Sequence, residues 1–161
     1  MFKKTLVLLL IIFLTSSSLF ALGAEHKKLG TGVSIGEPIG YSSRFFLMDQ
    51  LSLDLVFGYG FAEEALVIMP TVSFHLRRIL DYDGEKFSLV PYFGGGLKTG
   101  IDLGGRNDGE GLVGMRFPLG ASLVVADGAF EIGAEFAPGA EFSPDSGFDL
   151  TGGISLRYYF F

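Results

Sequence analysis

The sequence contains no cysteine. The chain therefore has no disulfide framework and no thiolate metal site, and it is not a lipoprotein attached through an N-terminal cysteine. Histidine is almost as scarce, with only His26 and His75 present. Two histidines, one of them in the N-terminal lead, do not make a histidine cluster for a metal.

Basic residues are also few, with 12 Lys and Arg against 18 Asp and Glu. Nucleic-acid binding needs a basic face that can contact phosphates. The acidic balance therefore argues against nucleic acid as a partner.

Long hydrophobic runs occur only near the N-terminus, where an apolar run at 6–14 follows Lys3 and Lys4. This run is well short of the roughly 20 residues that a membrane helix needs. A polar break at 15–18 and the small-x-small sequence Ala21-Leu22-Gly23 follow it. This pattern predicts a secretory signal peptide at 1–23, with cleavage after Gly23 or, as the competing site, Ala24.

Cleavage after Gly23 leaves residues 24–161, which is 138 of the 161 residues and enough for one domain. Without the two signal lysines its net charge is near −8, from 10 basic and 18 acidic residues. The domain is nonetheless hydrophobic and rich in Gly and Phe. Alternating apolar positions would reconcile these properties, because a strand can turn them all to one face.

The last stretch, 148–161, shows such alternation most clearly. One face carries Phe148, Leu150, Gly152, Ile154, Leu156, Tyr158 and Phe160, and the other carries Asp149, Thr151, Gly153, Ser155 and Arg157. Period-two alternation predicts a strand whose two faces meet different surroundings. Its length matches the roughly 9 to 11 residues of a tilted strand that crosses a bilayer.

The same alternation returns at 29–36, 40–47, 51–59, 68–77, 87–99, 112–124 and 129–139. Eight strands are the smallest number that closes with an interior just filled by side chains. Closure matters because an open strand edge in lipid leaves backbone groups unpaired. We therefore predict an all-β fold, an eight-stranded antiparallel up-and-down transmembrane β-barrel, with external loops at 60–65, 100–111 and 140–147.

Four sequence motifs resemble those of an uncharacterised family of small bacterial outer-membrane barrels. They are Gly36-Glu37-Pro38-Ile39-Gly40, Arg116-Phe117-Pro118-Leu119-Gly120, Glu135-Phe136-Ala137-Pro138-Gly139 and Gly153-Ile154-Ser155-Leu156-Arg157-Tyr158-Tyr159-Phe160. The pattern is more distantly similar to the OmpA transmembrane domain and OmpX. This resemblance implies the cell outer membrane, contact with its lipids and lipopolysaccharide, and an assembly machinery that reads the C-terminal strand.

Charged residues on the inward face nearly balance in number. They are Arg44, Arg77, Lys98, Arg116 and Arg157 against Asp54, Glu131, Glu135 and Asp149. Near-balance predicts a sealed, charge-paired lumen, because unpaired charges inside a narrow barrel are strongly destabilising.

Counting back from the turns gives specific partners for these charges. A three-residue turn at 48–50 sets Arg44 opposite Asp54. A two-residue turn at 126–127 sets Arg116 opposite Ala137 and diagonal to Glu135. Aligning Gly139 with Asp149 brings Glu131 to Arg157.

Prolines fit the predicted strands less well. Pro70, Pro91, Pro118 and Pro138 all fall inside them. Proline has no N–H to donate to a neighbouring strand, and a closed barrel has no edge strand where this would be harmless. We therefore expect bulges or strand ends at these prolines. A soluble periplasmic β-barrel or lipocalin-like ligand carrier, the alternative fold, would accept these prolines more easily.

Candidate residues for chemistry are few. His75 and Ser73 share a face and could form half of a hydrolase, as in lipid A-modifying barrels, but both would face the lumen, away from lipid. The Gly-rich loop 104–109 lacks the context and lysine of a phosphate loop. Glu131 and Glu135 suggest a carboxylate pair, although the inward arginines favour salt bridges.

We therefore predict no catalytic, cofactor-binding or metal-binding residue and no cofactor. The expected role is structural or surface-interaction. A lipid A-modifying enzyme, a narrow pore and a soluble carrier are the alternatives.

Overall fold

The computed structural model describes residues 28–76, 79–82, 87–104, 109–125, 128–144 and 146–160. The predicted signal peptide with its cleavage site, His26 and Arg77 lie outside the described residues. No helix that is long and apolar enough to cross a membrane occurs in the described part of the chain.

Ten strands form one sheet. They are β1 (Leu29–Glu37), β2 (Ile39–Met48), β3 (Leu51–Gly60), β4 (Ala65–His75), β5 (Leu80–Tyr82), β6 (Phe87–Asp102), β7 (Gly111–Arg116), β8 (Leu119–Val125), β9 (Phe130–Ser143) and β10 (Gly147–Tyr159).

Strand pairing runs around the sheet and returns to its start. All pairs are antiparallel, and β10 pairs both with β9 and with β1. β7 and β8 both lie between β6 and β9, so these two short strands occupy one position. β5 pairs with β6 beyond the end of β4. The prediction of an all-β chain of antiparallel up-and-down strands is therefore confirmed, and the sheet is ring-like.

Pro118 and Pro138 lie at the same interruption in the sheet. Phe117 and Pro118 separate β7 from β8, as expected of a proline at a strand end. Pro138 lies inside β9, opposite this break, and pairs with Leu150 of β10 on its other side. The peptide N–H of Phe117 still donates to the Pro138 carbonyl, at 2.8 Å.

Pro70 and Pro91 also lie inside strands, and no register shift occurs at them or at Pro138, so the expected bulges are wrong at all three. Pro70 pairs with β3 and falls in a gap of the β4–β6 ladder. Pro91 pairs with β8 on one side. On the other side, the pairing of β6 with β4 ends at Tyr92, so Pro91 lies one residue beyond it. A missing N–H is tolerated at such points because no ladder hydrogen bond is required there.

Several strands end later than their sequence pattern indicated. β6 continues to Asp102 and β9 to Ser143, so the predicted loops 100–111 and 140–147 shorten to 103–110 and 144–146. The predicted break at 81–84 contains the end of β5, because the first half of β6 supplies a pairing partner there. Asp and Gly residues indicate a turn, but they do not exclude pairing at its edge.

Side chains alternate around the ring as predicted, with apolar groups outside and polar groups inside. Within the described ranges, buried polar or charged residues number 17, against eight buried hydrophobic residues. This ratio is opposite to that of a water-soluble domain, where buried residues are mainly apolar. The interior is therefore held by hydrogen bonds and ion pairs more than by a hydrophobic core.

Two inward tyrosines each lie over a glycine of a neighbouring strand. The ring of Tyr159 covers Gly30, and the ring of Tyr92 covers Gly120. A Cβ on Gly30 would come within 2.7 Å of the Tyr159 ring. Glycine is required at this position because the aromatic ring fills the space that a side chain would occupy.

Replacing Gly30 with valine should therefore destabilise the protein by about 1–3 kcal/mol, the usual cost of overpacking. The added side chain displaces Tyr159, whose hydroxyl donates a hydrogen bond to Glu131. Urea unfolding in detergent micelles measures the change. Gly95→Val is the matched control, because Gly95 is exposed and nothing lies within 4 Å of an added Cβ. Equal stabilities of the two variants would contradict the packing role.

Candidate functional site

Arg44 occupies the centre of the interior network. Its Nε donates to Asp54 Oδ1 at 2.7 Å, and its Nη2 donates to Asp54 Oδ2 at 2.8 Å. A third donor, Nη1, reaches Glu131 Oε1 at 2.7 Å. The guanidinium is fully buried and lies 4.6 Å from the centre of the Tyr92 ring. Arg44 thus links β2 to its neighbour β3 and, across the ring, to β9.

The predicted pairing of Arg44 with Asp54 is confirmed, although the turn that produced it differs. Met48 pairs with Leu51, which makes the turn two residues long, at 49–50. An irregularity between Phe46 and Met48 absorbs the extra residue. The register at Arg44 is consequently the one that a three-residue turn predicted.

Glu131 is the second centre of the network. Besides Arg44, it accepts hydrogen bonds from Arg157 Nη1 at 2.7 Å and Ser122 Oγ at 2.8 Å. The hydroxyl of Tyr159 binds its other oxygen. The predicted alignment of Glu131 with Arg157 is confirmed, as is that of Gly139 with Asp149. A buried carboxylate with this many donors is fully satisfied.

His75 and Ser73 are both buried inside the ring, on the predicted face, but they are not hydrogen-bonded to each other. Ser73 Oγ donates to Asp54 at 2.8 Å, whereas His75 Nε2 lies 2.8 Å from Ser52 Oγ. Ser52 Oγ donates in turn to Asp54 at 2.9 Å.

The serine therefore stands between the histidine and the acid. Acyl transfer needs the histidine in the middle, so that it takes the serine proton while the acid orients the ring. Because the Ser52 hydroxyl donates its proton to Asp54, the Ser52 oxygen accepts a hydrogen bond from His75 Nε2. The arrangement is a hydrogen-bonded support for Asp54 and does not activate a nucleophile.

Arg116 and Glu135 form an ion pair farther along the interior. Tyr92 donates to the second oxygen of Glu135 at 3.0 Å. The predicted register is wrong here, because Arg116 pairs with Gly139 and not with Ala137. The cause is the β8–β9 connection, which spans four residues, since Val125 pairs with Phe130. Part of this connection, 126–127, lies outside the described residues.

The long arginine side chain still reaches Glu135 despite the two-residue shift. Both glutamates of the suggested carboxylate pair are thus bound to arginines, as the salt-bridge interpretation predicted.

A polar cavity of about 30 Å³ lies beside this ion pair, lined among others by Asp54, Thr71, Arg116 and Arg157. Two of its buried polar atoms, Thr71 Oγ1 and Arg116 Nε, have no hydrogen-bond partner among the described residues. A volume of this size accommodates one or two water molecules, which such groups would bind. It is far below the roughly 300–1,000 Å³ of a small-molecule site.

Lys98 forms a separate group of ion pairs at the end of the ring that carries the connections 61–64, 103–110 and 144–146. Its Nζ pairs with Glu63, with Asp149 Oδ1 at 3.0 Å and with Glu141 Oε2 at 3.8 Å. Burial raises the pKa of Glu63, and the adjacent Lys98 ammonium partly offsets the rise.

Sequence reasoning identified Lys98 and Asp149 as inward, but it placed Glu63 and Glu141 in loops. Outward and inward positions continue to alternate after Pro138, which places Glu141 on the same face as Gly139. This alternation was the signal that could have identified Glu141 as inward.

The Gly-rich loop lies in this same region. The amide of Gly104 donates to Asp102 Oδ1 at 3.0 Å, and the loop joins two antiparallel strands. A phosphate loop joins a strand to a helix. Residues 105–108 lie outside the described part of the chain.

Comparison with protein-family models, with curated proteins and with solved structures finds no match for this chain. The resemblance to small outer-membrane barrels therefore stays a prediction from the sequence motifs.

Replacing Arg44 with methionine should destabilise the protein by about 3–5 kcal/mol, because Asp54 and Glu131 lose a buried counter-charge. The double variant Arg44→Met with Asp54→Asn should lose less than the sum of the two single changes, since it removes both members of the pair. Urea unfolding of all four proteins in micelles measures this coupling. Additive losses would show that Arg44 and Asp54 do not stabilise each other.

Proposed function

We propose that this protein is an integral outer-membrane β-barrel of eight strands with an occluded, charge-paired lumen. Its role is structural or surface-interaction: it stabilises the envelope or presents its longer connections outside the cell. The observation that carries the proposal is the inverted distribution of side chains around the ring.

Apolar residues cover the outside of the ring in every strand of full length. On β3, for example, the exposed fractions are 43% for Leu53, 37% for Leu55 and 42% for Phe57. Equivalent exposed residues recur on the other strands, among them Val33, Phe45, Ile68, Phe93, Leu119, Ile132 and Ile154. Such a continuous belt is far larger than the apolar patches of soluble monomers, and it matches the lipid-facing band of a transmembrane barrel.

Strand length and closure agree with this proposal. β1, β2, β3 and β4 have 9, 10, 10 and 11 residues, which suits a tilted crossing of the bilayer. Pairing of β10 with β1 leaves no free sheet edge between the first and last strands. In lipid, this closure supplies each backbone group with a partner that water would otherwise provide.

Both described termini lie at one end of the ring. Leu29 of β1 pairs with Phe45 of β2, and Gly30 pairs with Tyr159 of β10, which places the start of β1 and the end of β10 together. In the proposed orientation these termini face the periplasm. The connections 61–64, 103–110 and 144–146 then face outward, where a surface partner would meet them.

The alternatives fit the interior less well. A pore needs a continuous water-filled path, whereas Arg44, Asp54, Glu131 and Arg157 contact one another across the lumen. A ligand carrier needs an apolar cavity of about 300–1,000 Å³, whereas two cavities among the described residues are water-sized, at about 30 and 10 Å³. A lipid A-modifying enzyme needs catalytic groups that face lipid, whereas His75 is 98% buried inside the ring.

Fractionation of cells that express the full-length chain tests the proposal. The protein should sediment with the outer membrane and resist extraction by alkaline carbonate. Unheated samples should migrate faster on a denaturing gel than boiled samples, because a closed barrel stays compact in detergent. Recovery in the soluble periplasmic fraction, with no shift on heating, would contradict a membrane barrel.

A further inference from the structure

Three carboxylates from separate parts of the chain converge at the Lys98 end of the ring. Glu63 lies in the connection between β3 and β4, Glu141 on β9 and Asp149 on β10. One carboxylate oxygen from each lies within 4.8 Å of the others. We call these three residues the acidic cluster.

Among the described residues, the acidic cluster has more carboxyl groups than paired cations. Lys98 is the cation paired with it among the described residues, so three carboxyl groups share one positive charge. The remaining interior ion pairs balance, with Arg44, Arg116 and Arg157 against Asp54, Glu131 and Glu135. The surplus is therefore confined to this end of the ring.

Two buried oxygens of the acidic cluster also have no hydrogen-bond donor within the described part of the chain. They are Oε2 of Glu63 and Oδ2 of Asp149. Asp149 is only 8% exposed, so water does not replace the missing donor freely. Lys98 pairs with the other oxygen of each residue, Oε1 and Oδ1. A buried acceptor without a partner is costly, and a cation that binds it removes that cost.

The turn that carries Glu63 is held in place from two sides. The Glu37 carboxylate accepts hydrogen bonds from the backbone amides of Phe61 at 3.0 Å and Ala62 at 3.2 Å. The Glu64 carbonyl accepts from the amide of Leu103, also at 3.0 Å. The turn that carries Glu63 is thus fixed to the end of β1 and to the residue that follows β6.

We propose that the acidic cluster binds one divalent cation of the calcium type. Calcium takes oxygen ligands at about 2.3–2.6 Å, so the ligand oxygens of one ion lie at most about 5 Å apart, a limit that the three carboxylates meet. Magnesium demands near-ideal octahedral geometry and usually keeps several waters, so a site of three protein carboxylates suits it less well. Zinc favours nitrogen and sulfur ligands, which the cluster lacks. The ion neutralises the surplus carboxyl groups and ties β9, β10 and the β3–β4 turn together.

This site goes beyond the proposed function, because its geometry does not depend on where the protein resides. It links three separate segments of the chain at one end of the ring. Calcium binding should stabilise the folded protein, since the unfolded chain does not hold these carboxylates together.

Calorimetric titration with calcium chloride tests the site directly. The full-length protein is purified in nonionic micelles free of lipopolysaccharide and treated with a chelator. We expect saturable binding with one ion per chain, weakened at least about tenfold by Asp149→Asn. Glu63→Gln, in the turn, is the second variant if Asp149→Asn fails to fold. Glu110→Gln is the matched control, an exposed carboxylate at the same end outside the cluster.

Lys98→Met separates a cation site from a simple salt bridge. Loss of the lysine leaves three unpaired carboxylates, so calcium should bind this variant more tightly and raise its unfolding temperature more than that of the wild type. No saturable binding up to about 10 mM calcium, about ten times the weakest Kd of extracellular calcium sites, would overturn the proposal. Equal calcium affinities of the wild type and Asp149→Asn would also overturn it. So would an unfolding temperature of Lys98→Met that calcium does not change.

Discussion

The pairing of buried charge is the constraint on which the rest of this structure depends. An unpaired charge inside the ring would cost several kcal/mol, and the pairs found there repay their desolvation only with extra hydrogen bonds. Arg44 and Glu131 meet this condition because serines and tyrosines supply the remaining donors and acceptors. Since their partners come from β2, β3, β8, β9 and β10, the network ties the registers of these five strands together.

An interior of this kind requires an exterior of the opposite kind. The polar side chains of the strands point inward to the network. The alternate side chains, which are apolar, therefore point outward. In water this surface would drive aggregation, whereas in a bilayer it is solvated by lipid. The proposed membrane location thus follows from the same alternation that builds the network, and closure of β10 onto β1 removes the edge that lipid would not tolerate.

Much of this architecture could be predicted from the sequence because a period of two is a local signal. The alternation predicts the strands and their two faces. Counting back from the turn between β2 and β3 then gives the Arg44–Asp54 pair. The Arg116 register could not be obtained in this way, because it depends on the length of the 126–129 connection. The Glu63–Glu141–Asp149 cluster was missed for another reason: β9 continues through residues that the sequence analysis assigned to a loop, and only the fold brings distant carboxylates together.

The most direct measurement of the central claim is the environment of outward side chains in a bilayer. Because the chain has no cysteine, single cysteines at Leu53, Leu55, Phe57 and, on the β3–β4 turn, Ala62 can each carry a nitroxide label. In lipid vesicles, the labels at the three β3 positions should collide often with oxygen and rarely with a water-soluble nickel chelate, and the label at Ala62 should show the reverse. Equal access of the nickel chelate to Leu55 and Ala62 would contradict a lipid-facing exterior.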